Sequence, residues 1–398
     1  MIVPAPFSDE SSSLAFASET PRTNYLRGGL NLGTVYDDNI LPSSGRGVSD
    51  VRYSVWPSLS LEQSRSRMRW DLTYSPGFRF YQGHTSLNGI DHNLGIDLEY
   101  RLSPHVTLSM GESFQKTSDV LNLSDAGVVQ GPTTSLVPPA TTKISNAGDV
   151  SLTYQFAQNQ MIGVKGTMSG LWYPGRVNLN GLFDSTARGT EVFYTHRLSA
   201  SQYIGATFGL QNLFTHPGHA ETRTQTALFF YTVYLPSSLS VSLFAGPEHS
   251  GTNGASFVPV HLWSPAAGGS LGWHGGHASL LASLARQVSD GGGLSGAVRS
   301  NSADLSMRWR FARAFTASLG GTYISNRVLD SAETFGDGGH TWSGAASLEH
   351  PLGDHFAAQI GYTHLHQSYP HVSAISNNPD RNNVWVSFSY RFERPLGR

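Results

Sequence analysis

Polar and apolar residues alternate with a period of two along most of this chain. Near its N-terminal third, Tyr53 and Val55 alternate with Arg52 and Ser54. Successive side chains of a β-strand point to opposite faces, so such a segment has one apolar and one polar face. A helix would need apolar residues every three or four positions, and no stretch shows that spacing convincingly. The pattern therefore predicts strands throughout.

Eighteen such strands can be placed, and turn or loop residues separate them. Their predicted bounds are 23–36, 50–62, 67–81, 92–101, 105–116, 147–156, 161–173, 189–198, 202–214, 225–235, 239–246, 266–273, 277–286, 300–310, 314–325, 340–349, 355–366 and 382–392. Pro57 and Pro76 fall inside two of them, where a proline removes a ladder donor, and this predicts bulges. Strands 10 and 13 alternate poorly, which suggests that something packs against their inner side.

Short and long connections take turns along the chain, with long ones such as 117–146, 247–265 and 287–299. Short turns on one side and long loops on the other are typical of outer-membrane barrels, and an even strand count puts both termini on the periplasmic side. A soluble sandwich or propeller also alternates but needs no such order of connections. The pattern predicts an all-β, transmembrane, antiparallel up-and-down barrel over residues 23–392, between a periplasmic segment 1–22 and a tail 393–398.

Composition agrees with this class. The 26 Lys and Arg balance 28 Asp and Glu, which gives no reason to expect a nucleic-acid partner. Charged residues make up 14% of the chain, against about 25% in a typical soluble domain. The absence of cysteine excludes disulfides and cysteine-based metal sites. Residues 1–20 lack the basic and apolar regions of a secretory signal, so export would require a signal outside this numbering.

The last predicted strand carries an apolar face of Val384, Val386, Phe388, Tyr390 and Phe392. It resembles the aromatic-ended C-terminal signal that the barrel-assembly machinery reads on bacterial outer-membrane proteins, although a tail follows Phe392 here. The resemblance implies an outer-membrane location, that machinery as a partner, and contact with membrane lipid and lipopolysaccharide.

A second resemblance rests on the first predicted strand. Residues Gly28–Leu41, with the run Tyr36–Asn39, look like the first strand of barrels associated with bacterial exopolysaccharide export. The likeness covers this one motif, and it implies a conduit for polysaccharide.

Alternation assigns side chains to the two faces of the barrel wall. The apolar set is expected to face lipid: Tyr53, Val55, Leu59, Trp70, Leu72, Leu305, Met307, Val386 and Phe388. The charged set is expected to line the pore: Arg52, Arg67, Arg69, Asp71, Arg79, Asp97, Glu99, Arg101, Asp304, Arg308, Arg310 and Arg391. Its arginines could set a transverse field and bind anions or sugars, or they could only pair within the wall. On the first reading, Arg67, Arg69 and Arg79 can be exchanged for serine with altered ion selectivity and intact folding.

Candidate chemistry is sparse, and we expect no enzyme, no cofactor and no metal. The sequence lacks the nucleophile-elbow, metalloprotease, phosphate-loop and dinucleotide motifs. His364 and His366 share one strand face, as metal ligands would, or they end strand 17 near the outer headgroups. The oxygens of Tyr36–Asn39 could bind calcium, or simply begin a loop.

Barrels of 16 to 18 strands are wide enough for an aqueous channel. The main hypothesis is a channel or export conduit for hydrophilic solutes, including polysaccharide. The alternative is a structural barrel that docks a periplasmic or lumenal partner protein. The loop 117–146 is the longest, and it either folds into the lumen or stands outside as a flexible tip.

Overall fold

In the computed structural model, the described residues are 24–41, 47–118, 141–174, 182–216, 220–236, 238–254, 257–289, 292–294, 297–312, 314–329, 338–369 and 380–396. They form eighteen antiparallel strands. The strands are β1 Asn24–Asp37, β2 Asp50–Ser64, β3 Met68–Tyr81, β4 Gly89–Arg101, β5 Val106–Thr117, β6 Lys143–Ala157, β7 Gln160–Trp172, β8 Asp184–Ser199, β9 Gln202–His216, β10 Ala220–Leu235, β11 Leu239–Gly254, β12 Phe257–His274, β13 Ala278–Ser289, β14 Val298–Ala312, β15 Phe315–Val328, β16 Gly338–Pro351, β17 Phe356–Ser368 and β18 Asp380–Pro395.

Each strand pairs with its neighbours in the sequence, and the sheet closes because β1 pairs with both β2 and β18. The predicted fold class is therefore confirmed. Asn24 and Pro395 lie at one end of the barrel, where the short connections also lie, and we call it the turn end. The opposite end, with the long connections, is the loop end. None of the described residues forms a helix long and apolar enough to cross a membrane.

The bulges expected at Pro57 and Pro76 are absent. Register between β2 and β3 is the same on both sides of the prolines, since Val55 pairs with Phe78 and Leu59 with Tyr74. In that register the two prolines face each other, so neither strand offers a donor there and the ladder is simply interrupted. The Ser75 hydroxyl donates to the Pro57 carbonyl at 3.2 Å and partly replaces the missing bonds.

The connection predicted over 247–265 is instead a long hairpin. β11 runs to Gly254 and β12 starts at Phe257, so each strand is much longer than alternation indicated. Pro247 and Pro265 suggested a loop, but they lie opposite each other in the register. Neither can donate to the other, and the pair therefore occupies a position that is not hydrogen-bonded between these two strands.

The tail predicted at 393–398 also begins as strand, because β18 continues to Pro395 and pairs there with Tyr25 of β1. The predicted N-terminal segment 1–22 lies outside the described residues. So does most of the loop 117–146, since the described chain stops at Ser118 and resumes at Thr141.

Candidate functional site: the lumen and its closed loop end

The two faces of the wall differ in chemistry. On β2, the buried Arg52, Ser54 and Trp56 alternate with the exposed Tyr53 and the half-buried Val55. In a closed barrel the inner face is the shielded one, so the buried, mostly polar set points into the lumen. The exposed apolar side chains form the outer surface, as in barrels that sit in lipid.

All nine side chains expected to face lipid belong by register to this outer face. Among them, Tyr53, Leu59, Leu305, Val386 and Phe388 are exposed, each by between 46% and 52%. The other four are Val55, Trp70, Leu72 and Met307, which are half-buried among their neighbours.

Eleven of the twelve residues expected to line the pore lie in strands, and all eleven belong by register to the inner face. They are Arg52, Arg69, Asp71, Arg79, Asp97, Glu99, Arg101, Asp304, Arg308, Arg310 and Arg391. Arg67 directly precedes β3, in a turn closed by Arg65 N–H to Met68 O at 2.7 Å, and its carbonyl accepts from Arg101 N–H at 2.7 Å, which continues the register between β3 and β4. By that register Arg67 is also on the inner face, at the turn end, and its side chain is exposed.

The inner charges form two tiers. In the tier near the turn end, the side chains of Arg69 and Arg308 are about half exposed, although each has an acid nearby. Arg69 lies 3.2 Å from Glu62, and Arg308 lies 3.9 Å from Glu349. Exposed charges on the inner face mean that the lumen is open to solvent at this end.

The tier near the loop end is buried and paired. Arg79 and Asp91 approach within 2.8 Å, and both side chains are almost inaccessible. Arg381 of β18 donates through Nε to Asp37 of β1 at 2.8 Å. These charges sit inside the wall, so they cannot contact a solute in this conformation.

The acidic run Tyr36–Asn39 takes part in the same network. Asp38 accepts two bonds of 2.7 Å from the backbone and side chain of Asn382. Asp37 accepts from Asn39 N–H at 3.0 Å and from Arg381. The carboxylates thus join β1 to β18 where the barrel closes, and protein donors use the oxygens that a calcium ion would need.

His364 and His366 lie on the outer face at the loop end of β17. His366 Nδ1 is 2.8 Å from Asp380, and His364 Nδ1 is 2.8 Å from Asn382. The His364 ring also packs on Trp342, with centroids 4.4 Å apart. In the part of the chain that the structure describes, no group of three or more acidic or histidine side chains could hold a metal ion. The place of His364 and His366, on the outer face at the loop end, agrees with the alternative that they end the strand in a rim of polar aromatic side chains.

The connection between β13 and β14 closes the loop end from inside. We call residues 287–299, of which 290–291 and 295–296 are not described, the infolded hairpin. The Tyr173 hydroxyl donates to Gly292 O at 2.8 Å, and Phe183 N–H donates to Gly293 O at 2.9 Å. Tyr173 follows β7, which is seven strands away from β14 around the ring of eighteen. These bonds therefore cross the lumen.

Two apolar clusters hold the infolded hairpin. The first consists of Leu171, Tyr173, Leu182, Leu294, Val298 and Tyr369. The second consists of Ala187, Leu213, Val288, Ala297 and Leu329, with Leu262 against it. Each cluster combines hairpin residues with residues of distant parts of the wall, so apolar contacts and not only hydrogen bonds fill the loop end.

Large aromatic side chains on the inner face lie over glycines of the next strand. Each ring and its glycine stand opposite each other in the register, and a Cβ added to the glycine would lie within 2.6 Å of a ring atom. The pairs are Trp56–Gly77, Phe193–Gly163, Phe230–Gly205, Phe244–Gly268 and Trp385–Gly361. The rings therefore lie along the wall and leave the lumen free. Phe230 also accounts for the poor alternation of β10, since Leu228 and Phe230 put apolar side chains on the inner face of that strand, where both are buried.

No family model and no curated protein matches the chain. Solved structures of outer-membrane proteins resemble it. Pseudomonas aeruginosa OccK2 (OpdF) has a TM-score of 0.48 at 11% identity, with 93% of this chain and 98% of that chain covered. The ferric citrate transporter FecA has 0.47 at 11%, covering 94% and 79%. Acinetobacter baumannii OccAB1 has 0.45 at 10%, covering 93% and 96%. The fold assignment itself rests on the strand pairing of this chain, which is that of a porin-like, outer-membrane-type barrel.

Sequence reasoning missed the infolded hairpin. Its signal was present, since three consecutive glycines precede Leu294, and Gly292 and Gly293 adopt φ angles of 66° and 118° that favour glycine. Apolar residues after such a turn, at Leu294, Ala297 and Val298, indicate a connection that is buried. Length alone points to 117–146 instead, most of which lies outside the described residues.

Proposed function

We propose that this barrel is a channel for small hydrophilic solutes, with its turn end in the periplasm and its loop end outside the cell. The observation that carries the proposal is the contrast between the two tiers of inner charge. Near the turn end, Arg69 and Arg308 are exposed to the open part of the lumen, which we call the vestibule. A wall that is polar inside and apolar outside serves passage of solutes, and no part of the site requires catalysis.

Passage requires the infolded hairpin to move, since it occupies the loop end in the closed form. The infolded hairpin consists of the loop-end tips of β13 and β14 and the connection between them, and its β13 tip is not paired with β12, so it can move while the rest of the barrel stays closed. Its apolar clusters make the closed form the favoured one. The proposed channel is therefore gated from the outside.

A matched pair of cysteines can test this, because the chain has none of its own. Leu182→Cys and Leu294→Cys place thiols in one cluster on opposite sides of the closure. After reaction with a short bis-thiosulfonate linker, the protein should be silent in planar bilayers, and a reductant should restore conductance. Each single variant is the control. A linked protein that conducts as well as the reduced one would refute gating by this hairpin.

The same recording distinguishes a channel from the second candidate function, a barrel that docks a partner protein. A docking barrel would receive a periplasmic partner in the open vestibule at the turn end and would stay silent even with the hairpin released. Passage of polysaccharide differs from passage of small solutes in the width of the path that it needs. Added dextran should block current only if the opened path is wide enough to admit it, whereas a path for small solutes is unaffected.

A further inference from the structure

The barrel wall is split between β12 and β13 at the loop end. Pairing of these strands stops at Ala267 and Arg286, although β12 continues with β11 and β13 continues with β14. The next hydrogen-bonded position on β12 is Pro265. Because Pro265 is opposite Pro247 of β11, the N–H that it lacks is the one that would have faced β13. The split therefore begins where the sequence removes a ladder donor.

The freed edge of β13 is held by a side chain of β11, two strands away in the sheet. Val288 N–H, which would have bonded to β12, donates to Glu248 Oε2 of β11 at 3.2 Å. The Ser264 hydroxyl donates to the other oxygen of Glu248 at 3.1 Å. The Val288 side chain packs in a cluster with Ala187 and Leu213 of the inner wall. The face of the infolded hairpin that carries Val288 is thus turned toward the inner side of β8–β12, across a cleft.

Three arginines share that face. Arg299 is opposite Val288 in the register, Arg327 is opposite Arg299, and Arg286 is two residues before Val288 on β13. We call the space between them and Glu248 the β12–β13 cleft. Arg299 interacts electrostatically with Arg286, Arg327 and Glu248. Arg299 is half-buried at the cleft, and the exposed Arg286 and Arg327 lie at its edge, so three guanidinium groups face one carboxylate. The Val288 N–H and the Ser264 hydroxyl already engage that carboxylate.

The positive charge has no internal partner at contact distance. Among the described residues, none of the three arginines has an acidic oxygen within 4.0 Å, whereas most other arginines at the loop end do. Arg299 Nε is buried and has no hydrogen-bond partner in the same part of the chain. Holding like charges together with an unused buried donor costs free energy unless an anion occupies the site.

We propose that the β12–β13 cleft binds a phosphate group that carries two negative charges. Guanidinium groups match phosphate oxygens in geometry and form the strongest charge-assisted hydrogen bonds. The split opens the cleft sideways, and its outer flanks are apolar, with Trp263 and Leu284 exposed by 70% and 64%. The phosphate can therefore come from a lipid headgroup in the outer leaflet or from a free solute. The site is separate from the channel vestibule.

Calorimetric titration of the purified barrel tests this with two probes. Inorganic phosphate represents the free source, and dihexanoyl phosphatidic acid, compared with dihexanoyl phosphatidylcholine, represents the lipid source. The wild-type protein should bind at least one probe at a single site, and Arg299→Gln should weaken that binding about tenfold. A preference for phosphatidic acid over phosphate identifies a lipid site, and equal binding identifies a free phosphate site. Arg223→Gln, on the outer rim of β10, is the matched control.

Heat-shifted migration in gels first establishes that each variant is folded. If Arg299→Gln does not fold, Glu248→Gln serves in its place, because removal of the one facing carboxylate should tighten binding of the anion. The proposal is overturned if neither probe binds the wild-type protein, or if affinity is the same in the folded Arg299→Gln protein. An unchanged affinity in Glu248→Gln has the same consequence.

Discussion

The hydrogen bond between Tyr173 and Gly292 gives a direct test of the closed state. Tyr173 is 1% exposed, and its hydroxyl reaches Gly292 O across the lumen at 2.8 Å. Tyr173→Phe removes this bond and keeps the ring in its apolar cluster. Loss of one partner of a buried hydrogen bond costs about 1–3 kcal/mol. If the bond exists only in the closed form, the closed–open equilibrium shifts by roughly 5- to 150-fold toward the open form.

Single-channel recording in planar bilayers measures this shift as the fraction of time spent open. Tyr194→Phe is the control, since Tyr194 is on the outer face, 39% exposed, and its ring packs on Phe156. The conductance of the open state should be the same in the wild type and in both variants, because neither substitution alters the wall near the vestibule. An unchanged open fraction in Tyr173→Phe would show that the hairpin is not a gate, and that it closes the barrel permanently.

Three further substitutions test the outer face, the inner face and the hairpin. Leu305→Arg on the outer face should lower the free energy of unfolding by about 2–4 kcal/mol if the site is near the bilayer midplane. Ser306→Arg on the inner face should lower it little, and urea titration in lipid measures both. Gly361→Val should push Trp385 off the wall and lower the conductance of the open state, whereas Gly344→Val, where an added Cβ meets nothing within 4 Å, should not. Leu294→Ala should destabilise the closure by about 2–5 kcal/mol and raise the open fraction further than Tyr173→Phe.

The strands could be predicted from the sequence because a strand with one wet and one apolar face has a signature that needs no knowledge of its partner. All eighteen strands follow from this signature, and the largest errors in strand ends lie between β11 and β12, where two prolines interrupt the pattern. Pro247 and Pro265 look like loop residues one at a time, and only their pairing across β11 and β12 shows that both fit a strand. The register between β11 and β12 therefore determines where these strands end, and alternation within one strand does not reveal that register.

The closed loop end could not be predicted in the same way. Leu294 packs with Leu171 and Tyr369, which are more than seventy residues away on either side. Such contacts depend on barrel closure and on how far each connection bends inward, and neither has a local sequence pattern. For the same reason, alternation placed Arg69 and Arg79 in one set, although the first is exposed and the second is buried.

That difference between Arg69 and Arg79 leads to opposite expectations for two similar substitutions. Arg69→Ser removes a half-exposed charge from the vestibule, so the protein should fold normally and the reversal potential under a salt gradient should move toward cation preference. Arg79→Ser leaves Asp91 buried without its partner at 2.8 Å. Breaking a buried ion pair from one side costs about 3–5 kcal/mol. The expectation that both exchanges leave folding intact therefore changes for Arg79.

Urea titration and recording of the reversal potential separate the two effects. Arg79→Met combined with Asp91→Leu should recover most of the stability that Arg79→Ser loses, because apolar side chains of similar size can replace a buried pair at little cost. Since that pair is hidden from the lumen, the double variant should keep the wild-type reversal potential. If Arg79→Ser folds as well as the wild type and alters selectivity as Arg69→Ser does, the loop-end tier is open to solvent in the membrane, and the closure that the infolded hairpin provides there is not the resting state of the channel.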